Sequence, residues 1–187
     1  MREEQLLVVI PHSGVMVPNE IALENLSEEF PQLLQNVDWY THWLYDFRDI
    51  LGNRQVVFPY SCLILEGNRR PDLLEDSVPL KDVYGKPVYR QGCEPDPTLR
   101  KRLAEKYLNP FHHRIEKAIA EGAAFLLDGH STVPARGVEE NQIDLMNFQD
   151  SPLDKGPLIY SPQVYIETYA TQLARRLPDV KVTINAS

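Results

Sequence analysis

Two short apolar runs of this chain each end in a polar cluster that contains a histidine. Residues 6–10 lead into the sequence PHSG at 11–14, and residues 123–127 lead into DGHS at 128–131. Runs of this length that are apolar at nearly every position are typical of strands buried in a parallel sheet. Because the carboxyl ends of parallel strands meet at one sheet edge, we expect the two histidines to lie at that edge.

Helical periodicities alternate with further strand patterns along the chain. The predicted strands are 6–10, 55–58, 62–65, 123–127 and 180–184, and the predicted helices are 19–26, 37–51, a helix opened by Asp96 and Pro97, and 161–177. Pro110 is expected to kink or split the third of these helices. The stretch 67–96 has no firm periodicity, and a connection of that length is usually functional or mobile. Residues 131–156 predict a loop with short strands. Strands alternating with helices predict an α/β fold with a largely parallel sheet covered on both faces.

Composition places the chain among ordinary globular proteins. Its 187 residues, 43% hydrophobic and 25% charged, predict a single domain over 1–187 with a substantial core. The net charge of −8 disfavours nucleic acid as a partner. No apolar run approaches the length of a membrane span, and the N-terminus lacks a signal-peptide pattern. Cys62 and Cys93 lack the spacing of a metal site, so we expect a reduced, cytoplasmic setting.

His12 and His130 are candidate metal ligands. A neutral imidazole is the commonest protein ligand of zinc, and a catalytic zinc usually has three protein ligands and a water. The alternative is that each histidine only hydrogen-bonds its own loop. Asp38 and His42 are four residues apart on a predicted helix, so they share a face and are candidates for a further ligand. A solvated acid and an ordinary helical histidine are the alternative for that pair.

Two arginines follow Glu66. The planar guanidinium of Arg69 or of Arg70 can hold a carboxylate through two hydrogen bonds, which suits an acidic substrate. In a protein of net charge −8, a local cluster of positive charge attracts an acidic substrate to the site. Ion pairing with nearby acids, among them Asp72, is an equal alternative.

Two further positions carry titratable groups near these motifs. Asp128 lies on the same side of an extended strand as His130, where it would orient a ligand or bind a water, or be a plain acid at the end of a strand. Of the adjacent His112 and His113, we expect one to be exposed and the other to face inward.

Taken in order along the chain, these motifs resemble the N-formylglutamate amidohydrolase family. The matching segments extend over most of the chain: PHSG at 11–14, DW at 38–39 and LY at 44–45, NR at 68–69 and PD at 71–72, PVYR at 87–90, EPD at 94–96, Tyr107 with PFH at 110–112, and DGHS at 128–131. No single segment is specific to the family. The ordered series of segments is specific to the family.

The resemblance implies a three-layer αβα fold with a mixed, mostly parallel sheet, like that of the zinc carboxypeptidases and aspartoacylases. It implies zinc-dependent hydrolysis of N-formyl-L-glutamate, a small acidic N-acyl amino acid, to formate and glutamate, late in histidine breakdown. The residues it implies are His12, His130 and Asp38 as metal ligands and the pair Asn68 and Arg69 as the group that holds the substrate carboxylate. We expect Arg70 to assist Arg69.

The chain departs from the family pattern at several positions. Glu66 and Gly67 stand where the family commonly has an aspartate before its Asn-Arg pair, Cys62 replaces an arginine, and His42 stands at an often acidic position. Family members continue past position 187 through a Gly-rich segment to a strand with a glutamate that resembles the general base of the related peptidases. Glu66 and Asp128 are therefore the expected stand-ins for that base.

Three other functions stay open from the sequence. The first is a zinc amidohydrolase for another N-acyl amino acid or small peptide. The second is a truncated or divergent member without catalysis that binds a metal or a small carboxylate ligand. The third is a scaffold in a homo-oligomer, in which a neighbouring copy supplies the missing strand.

Overall fold

The computed structural model describes residues 5–131, 142–149, 158–159 and 161–185. The chain divides into two compact units, Met1–Thr132 and Val133–Ser187. The strands are β1 Leu6–Ile10, β2 Gln55–Val57, β3 Phe125–Asp128, β4 Gln142–Leu145, β5 Phe148–Gln149, β6 Leu158–Ile159 and β7 Lys181–Ile184. The helices are α1 Phe30–Leu33, α2 Thr41–Leu44, α3 Arg48–Leu51, α4 Leu74–Ser77, α5 Pro97–Leu103, α6 Asn109–Ala120 and α7 Gln163–Arg176. Over these described ranges, every helix is too short or too polar to cross a membrane.

The first unit is built on a parallel sheet in which β1 lies between β2 and β3. Successive side chains of a strand point to opposite faces. Leu7 and Val9 therefore pack into the main core on one face, and Val8 and Ile10 pack with Leu51 on the other. These four of the five side chains of β1 are almost completely buried. The first predicted strand is confirmed, and the two apolar runs are neighbours.

The strand β3 is only partly buried, so the expectation of a buried strand at 123–127 is wrong in this respect. Phe125 and Leu126 are 38% and 49% exposed. Among the described residues β3 pairs with β1 alone, whereas β1 is covered on both sides by strands. An uninterrupted apolar run thus marks the strand correctly but does not show how deeply the strand is buried.

The single helix predicted over 37–51 is wrong. The chain forms the short helices α2 and α3 instead. Tyr40 has a φ of 63°, a left-handed conformation that cannot continue an α-helix. Between the two helices the N–H of Phe47 donates to Oε1 of Gln55 at 2.7 Å. Side chains at helical spacing also fail to share a buried face, since Tyr40 and Leu44 are 59% and 68% exposed.

The predictions of a helix over 19–26 and of a strand over 62–65 are wrong for local reasons. Residues 19–26 hold only a 3₁₀ turn at Leu23–Asn25, which has no side-chain cap. Residues 62–65 form a buried turn rather than a strand, because the N–H groups of the last two residues both donate to the carbonyl of Ser61 at 2.9 Å. The turn passes through the core, and that explains its apolar sequence.

The helix opened by Asp96 is confirmed. Its carboxylate accepts a hydrogen bond from the N–H of Leu99 at 2.7 Å, and Pro97 occupies the first turn. Pro110 does not split the helix. The backbone passes through a π-helical turn at Ala104–Leu108 and continues as α6. A π-helical turn is wider than an α-helical turn. Directly before the proline it leaves room for the ring and interrupts the hydrogen-bond pattern where proline has no N–H to donate.

Regular helix or strand within 67–96 is limited to α4, as the absence of periodicity predicts. The stretch is nevertheless packed against the core. Val78 and Val88 are completely buried, and Tyr89 is 1% exposed. Tyr89 also forms an antiparallel bridge with Leu26.

In the second unit, β4 pairs with β7 in parallel and β5 pairs with β6 in antiparallel orientation. The helix α7 packs on β7. The bounds of α7 and β7 are close to those predicted for the last helix and the last strand. The strands β4 and β5 confirm the prediction of short strands within 131–156. The remainder of that stretch, 132–141 and 150–156, lies outside the described residues. The fold is α/β with mostly parallel strands, as predicted.

Candidate functional site

The two histidines lie together at one edge of the parallel sheet. His12 follows β1 and His130 follows β3, and the N–H of Gly129 donates to the carbonyl of Val9 at 2.8 Å. This bond extends the pairing of the two strands beyond the end of β3. The imidazole centroids are 4.7 Å apart and the rings meet edge to face at 70°.

Asp38 lies beside both imidazoles. Its Oδ2 is 3.0 Å from Nδ1 of His130 and 4.0 Å from Nδ1 of His12. The side chains of these three residues offer ligand atoms that all lie within 4.8 Å of one another. Asp38 belongs to the turn before α2 rather than to a helix, and its N–H donates to the carbonyl of His12 at 3.2 Å. His42 packs against the ring of Trp43 and is not part of this group.

The other nitrogen of each imidazole contacts a further carboxylate. Nε2 of His12 hydrogen-bonds Oε1 of Glu66, and Nε2 of His130 lies 3.2 Å from Oδ2 of Asp128. The same Oε1 of Glu66 accepts the N–H of Asn68 at 2.9 Å. A carboxylate on the far nitrogen of a metal-binding histidine fixes the orientation of the ring and makes it a better ligand.

The carboxylates change the pKa values of groups that lie among them. Burial lowers the pKa of His130, but hydrogen bonds to Asp128 and Asp38 outweigh burial and raise the pKa to about 10. The pKa of the Cys62 thiol is raised to about 12, first by burial and then by the charges of Glu66 and Asp38. The site therefore favours a positive charge and disfavours a thiolate.

Sequence reasoning missed two residues that hold Asp38 in place. The hydroxyl of Thr41, which is completely buried, donates to Oγ of Ser131 at 2.9 Å. The backbone N–H of Ser131 donates to Oδ2 of Asp38 at 3.0 Å. The position of Ser131 directly after His130 was a signal for its role. Nothing in the sequence connects it with Thr41.

Two glycines permit the close approach of backbone around this site. A Cβ on Gly14 would lie 2.3 Å from the backbone of Pro59 and 2.5 Å from the carbonyl oxygen of Phe58. A Cβ on Gly129 would lie 2.7 Å from the ring of Tyr45. The glycines of the PHSG and DGHS segments thus leave room for neighbouring groups beside each histidine.

The candidate substrate-binding residues lie on the loop after Glu66. Arg70 forms an ion pair with Asp72 at 2.6 Å, which is the alternative weighed from the sequence. The exposed Arg69 donates to the carbonyl of Asn68 at 3.4 Å. No carboxylate within the described ranges lies at ion-pairing distance from Arg69, whereas the guanidinium of Arg70 is paired with Asp72.

The adjacent histidines of α6 differ in exposure, as predicted. His112 is partly buried, and burial lowers its pKa. The side chain of His113 is 78% exposed and lies 3.7 Å from Glu116. Neither is part of the group formed by His12, Asp38 and His130.

Comparison with known proteins gives matches at the level of sequence and of fold. The family model described as N-formylglutamate amidohydrolase matches residues 4–156. N-formylglutamate deformylase of Pseudomonas putida is 29% identical over 138 residues, which cover 67% of this chain and 51% of that protein. The enzyme of the same name from Pseudomonas aeruginosa is 28% identical over 142 residues, with the same two coverages of 67% and 51%. The chain spans about half the length of the curated relatives it matches.

One solved structure resembles the fold of this chain. It is the crystal structure of a gene product from Agrobacterium tumefaciens, with a TM-score of 0.64 and 18% sequence identity. The match covers 99% of this chain and 71% of that chain. At this identity the likeness concerns the fold alone.

Proposed function

Because the chain belongs to the N-formylglutamate amidohydrolase family, we propose that it hydrolyses the amide bond of N-formyl-L-glutamate. Water adds to the formyl carbon, the bond from that carbon to nitrogen breaks, the amine takes up a proton, and formate and glutamate are released. The observation that carries this proposal is the convergence of Nδ1 of His12, Nδ1 of His130 and Oδ2 of Asp38.

The donor set of His12, Asp38 and His130 fits a divalent metal ion. Two imidazole nitrogens and a carboxylate oxygen are ligand types of catalytic zinc sites. Bonds of about 2.0–2.2 Å to one ion require ligand atoms about 3 to 4 Å apart, and Oδ2 of Asp38 is 3.0 and 4.0 Å from the two Nδ1 atoms. A bound ion, which we propose to be zinc, supplies a Lewis acid for the formyl oxygen and lowers the pKa of a water molecule.

Glu66 and Asp128 have different roles in this proposal. Oε1 of Glu66 is held by both His12 and the N–H of Asn68, so Glu66 orients the imidazole of His12. The side chain of Asp128 is 38% exposed, against 19% for Glu66, and lies 3.2 Å from Nε2 of His130. Because Asp128 is the more exposed of the two carboxylates, we assign to it the acceptance of a proton from the attacking water and the transfer of that proton to the leaving amine.

Asn68 and Arg69 hold a carboxylate of the substrate. The accessible guanidinium of Arg69 can form two parallel hydrogen bonds with a carboxylate, which fixes orientation as well as charge. The carboxylate of Asp72 already occupies Arg70 through two hydrogen bonds, so Arg69 and not Arg70 is assigned the direct bond to the substrate.

Several broader expectations belong to the same proposal. They are the three-layer arrangement of the zinc exopeptidases, a cytoplasmic role in histidine breakdown and a small acidic substrate. The family match and the names of the relatives support the substrate. A homo-oligomer stays an open alternative.

Metal content and hydrolysis of N-formylglutamate, measured on the same preparations, test this function. We expect about one zinc per chain and release of formate in the wild type. His12→Ala should lose both, whereas His113→Ala, on the exposed face of α6, should lose neither. Retention of zinc without hydrolysis of N-formylglutamate would favour a binding protein or another N-acyl substrate. Retention of stoichiometric zinc by His12→Ala would refute the ligand set.

A further inference from the structure

Residues 66–78 form a surface loop whose two ends are joined by a hydrogen bond. The N–H of Glu66 donates to the carbonyl of Ser77 at 2.8 Å. The hydroxyl of Ser77 donates to the carbonyl of Pro71 at 3.4 Å, across the loop. Compact loops with joined ends are frequently functional. This loop presents Asn68 and Arg69.

The first end of the loop has little room to move. A Cβ on Gly67 would lie 3.1 Å from the ring of Phe58 and 3.3 Å from the carbonyl oxygen of Pro11. Glu66 is tied to His12 by its side chain. The freedom of the loop is therefore set mainly at its second end, at α4.

Arg100, on α5, holds that second end. Its side chain is only 6% exposed. Nε donates to the carbonyl of Val78 at 3.0 Å, Nη2 to the carbonyl of Leu74 at 2.5 Å, and Nη1 to Oε1 of Glu75 at 2.8 Å. One planar group thus binds both ends of α4. A buried guanidinium is tolerated only when it is hydrogen-bonded, and here the backbone of the loop supplies two of the acceptors.

The ion pair with Glu75 is the minor part of this contact. The side chain of Glu75 is 86% exposed, and exposed partners contribute little to an ion pair. The two carbonyl contacts are directional and require the fork of an arginine, because a lysine ammonium is a single compact centre.

We propose that Arg100 is a positioning residue, which fixes the loop that presents Asn68 and Arg69 to the substrate carboxylate. Arg100 holds α4, the last residue of α4 accepts the N–H of Glu66, and Oε1 of Glu66 accepts the N–H of Asn68. Because Glu66 is tied to His12 and Gly67 has little room to move, a displacement of α4 shifts the intervening residues 68–73, which include Asn68 and Arg69. This inference rests on the proposed function of the loop in substrate binding.

The test compares Arg100→Lys and Arg100→Met with Lys101→Met. Lys101 is the next residue of α5, and its side chain is 71% exposed. We expect Arg100→Lys to raise the KM for N-formylglutamate about tenfold, since misplaced binding groups weaken binding at the ground state and the transition state alike. The kcat and the zinc content should stay close to those of the wild type, because the metal ligands lie on other segments. Amide exchange should become faster at Ser77 and Val78, whose N–H groups bond within the loop.

Each outcome decides the inference. Faster exchange with an unchanged KM would give Arg100 a structural role only, and unchanged exchange would show that it does not hold the loop; either result overturns the inference. Loss of zinc together with activity would overturn it as well. If Arg100→Met does not fold, Arg100→Lys decides.

If the zinc-loaded wild type does not hydrolyse N-formylglutamate, the proposed reaction fails separately. Calorimetric titration with that compound then replaces KM: weaker binding by Arg100→Lys supports the inference, and equal or absent binding overturns it.

Discussion

The rings of His12 and His130 meet edge to face, with centroids 4.7 Å apart, because β1 and β3 are parallel neighbours. Asp38 reaches the same point from the turn before α2, where the carbonyl of His12 and the N–H of Ser131 hold it. Three separate segments of the chain therefore form one donor set. Each of the three side chains lies outside the strands, so it can be substituted without changing a strand residue.

Replacement of Asp38 by Asn keeps the shape of the side chain and removes its charge. We expect zinc affinity to fall by more than about 100-fold, beyond the loss typical of residues that only support a ligand. Calorimetric titration with zinc at neutral pH measures the change. Asp72→Asn is the matched control, because Asp72 is exposed and pairs with Arg70. Wild-type affinity in Asp38→Asn would remove Asp38 from the ligand set.

Replacement of Asp128 by Asn separates proton transfer from metal binding. The amide oxygen of Asn can still accept a hydrogen bond from Nε2 of His130, but it cannot take up a proton. We expect kcat to fall by about 10²- to 10⁴-fold, the range of general acid–base catalysis, with zinc retained. Glu66→Gln is the comparison, and it should weaken zinc binding by about 10- to 100-fold while changing kcat at saturating zinc much less. The opposite pattern would exchange the roles of the two carboxylates.

Gly14 and Gly129 differ in what surrounds them, and Ala substitutions should show this. A Cβ on Gly14 would meet backbone atoms of Pro59 and Phe58 at 2.3 to 2.5 Å, and backbone cannot rotate away. A Cβ on Gly129 would meet the ring of Tyr45 at 2.7 Å, and a side chain can shift. We expect Gly129→Ala to cost about 1 to 3 kcal/mol of unfolding free energy and Gly14→Ala to cost more. Urea unfolding of both variants measures the difference, and equal costs would contradict this account.

The parts of the site that follow from strand patterns were predictable from the sequence. Two apolar runs that end in His12 and His130 fix the positions of both histidines, because parallel strands bring their carboxyl ends together. Asp96 and Pro97 likewise mark the start of α5, since capping depends only on neighbouring residues. These features are local or follow from sheet geometry.

The parts that depend on contacts between distant segments were not predictable. The apolar positions over 37–51 have a helical period, yet the left-handed Tyr40 ends any continuous helix and places Asp38 in a turn. The bond between Thr41 and Ser131 joins segments with no related pattern. The buried Arg100 looks in the sequence like any charged residue of a helix.

Glu20 gives a prediction about stability and pH. Its carboxylate accepts hydrogen bonds from Nζ of Lys106 at 2.6 Å and from the hydroxyl of Tyr107 at 2.7 Å. The bond to Lys106, followed by that to Tyr107, lowers the pKa of Glu20 from 4.5 to about 2. Because the pKa is lower in the folded protein than in the unfolded chain, the stabilisation is complete above pH 4.5 and is lost as the pH falls towards 2.

Urea unfolding of wild type and Glu20→Gln at a series of pH values tests this linkage. At neutral pH the variant should have the lower free energy of unfolding. The difference should shrink as the pH falls from 4.5 to 2, because the wild-type carboxylate then takes up the proton that ends its charged contacts. Glu24→Gln, at an exposed position nearby, is the matched control for the removal of one carboxylate charge. A difference that stays constant over this range would mean that Glu20 stabilises the protein by its shape and not by its charge, since only the charge titrates.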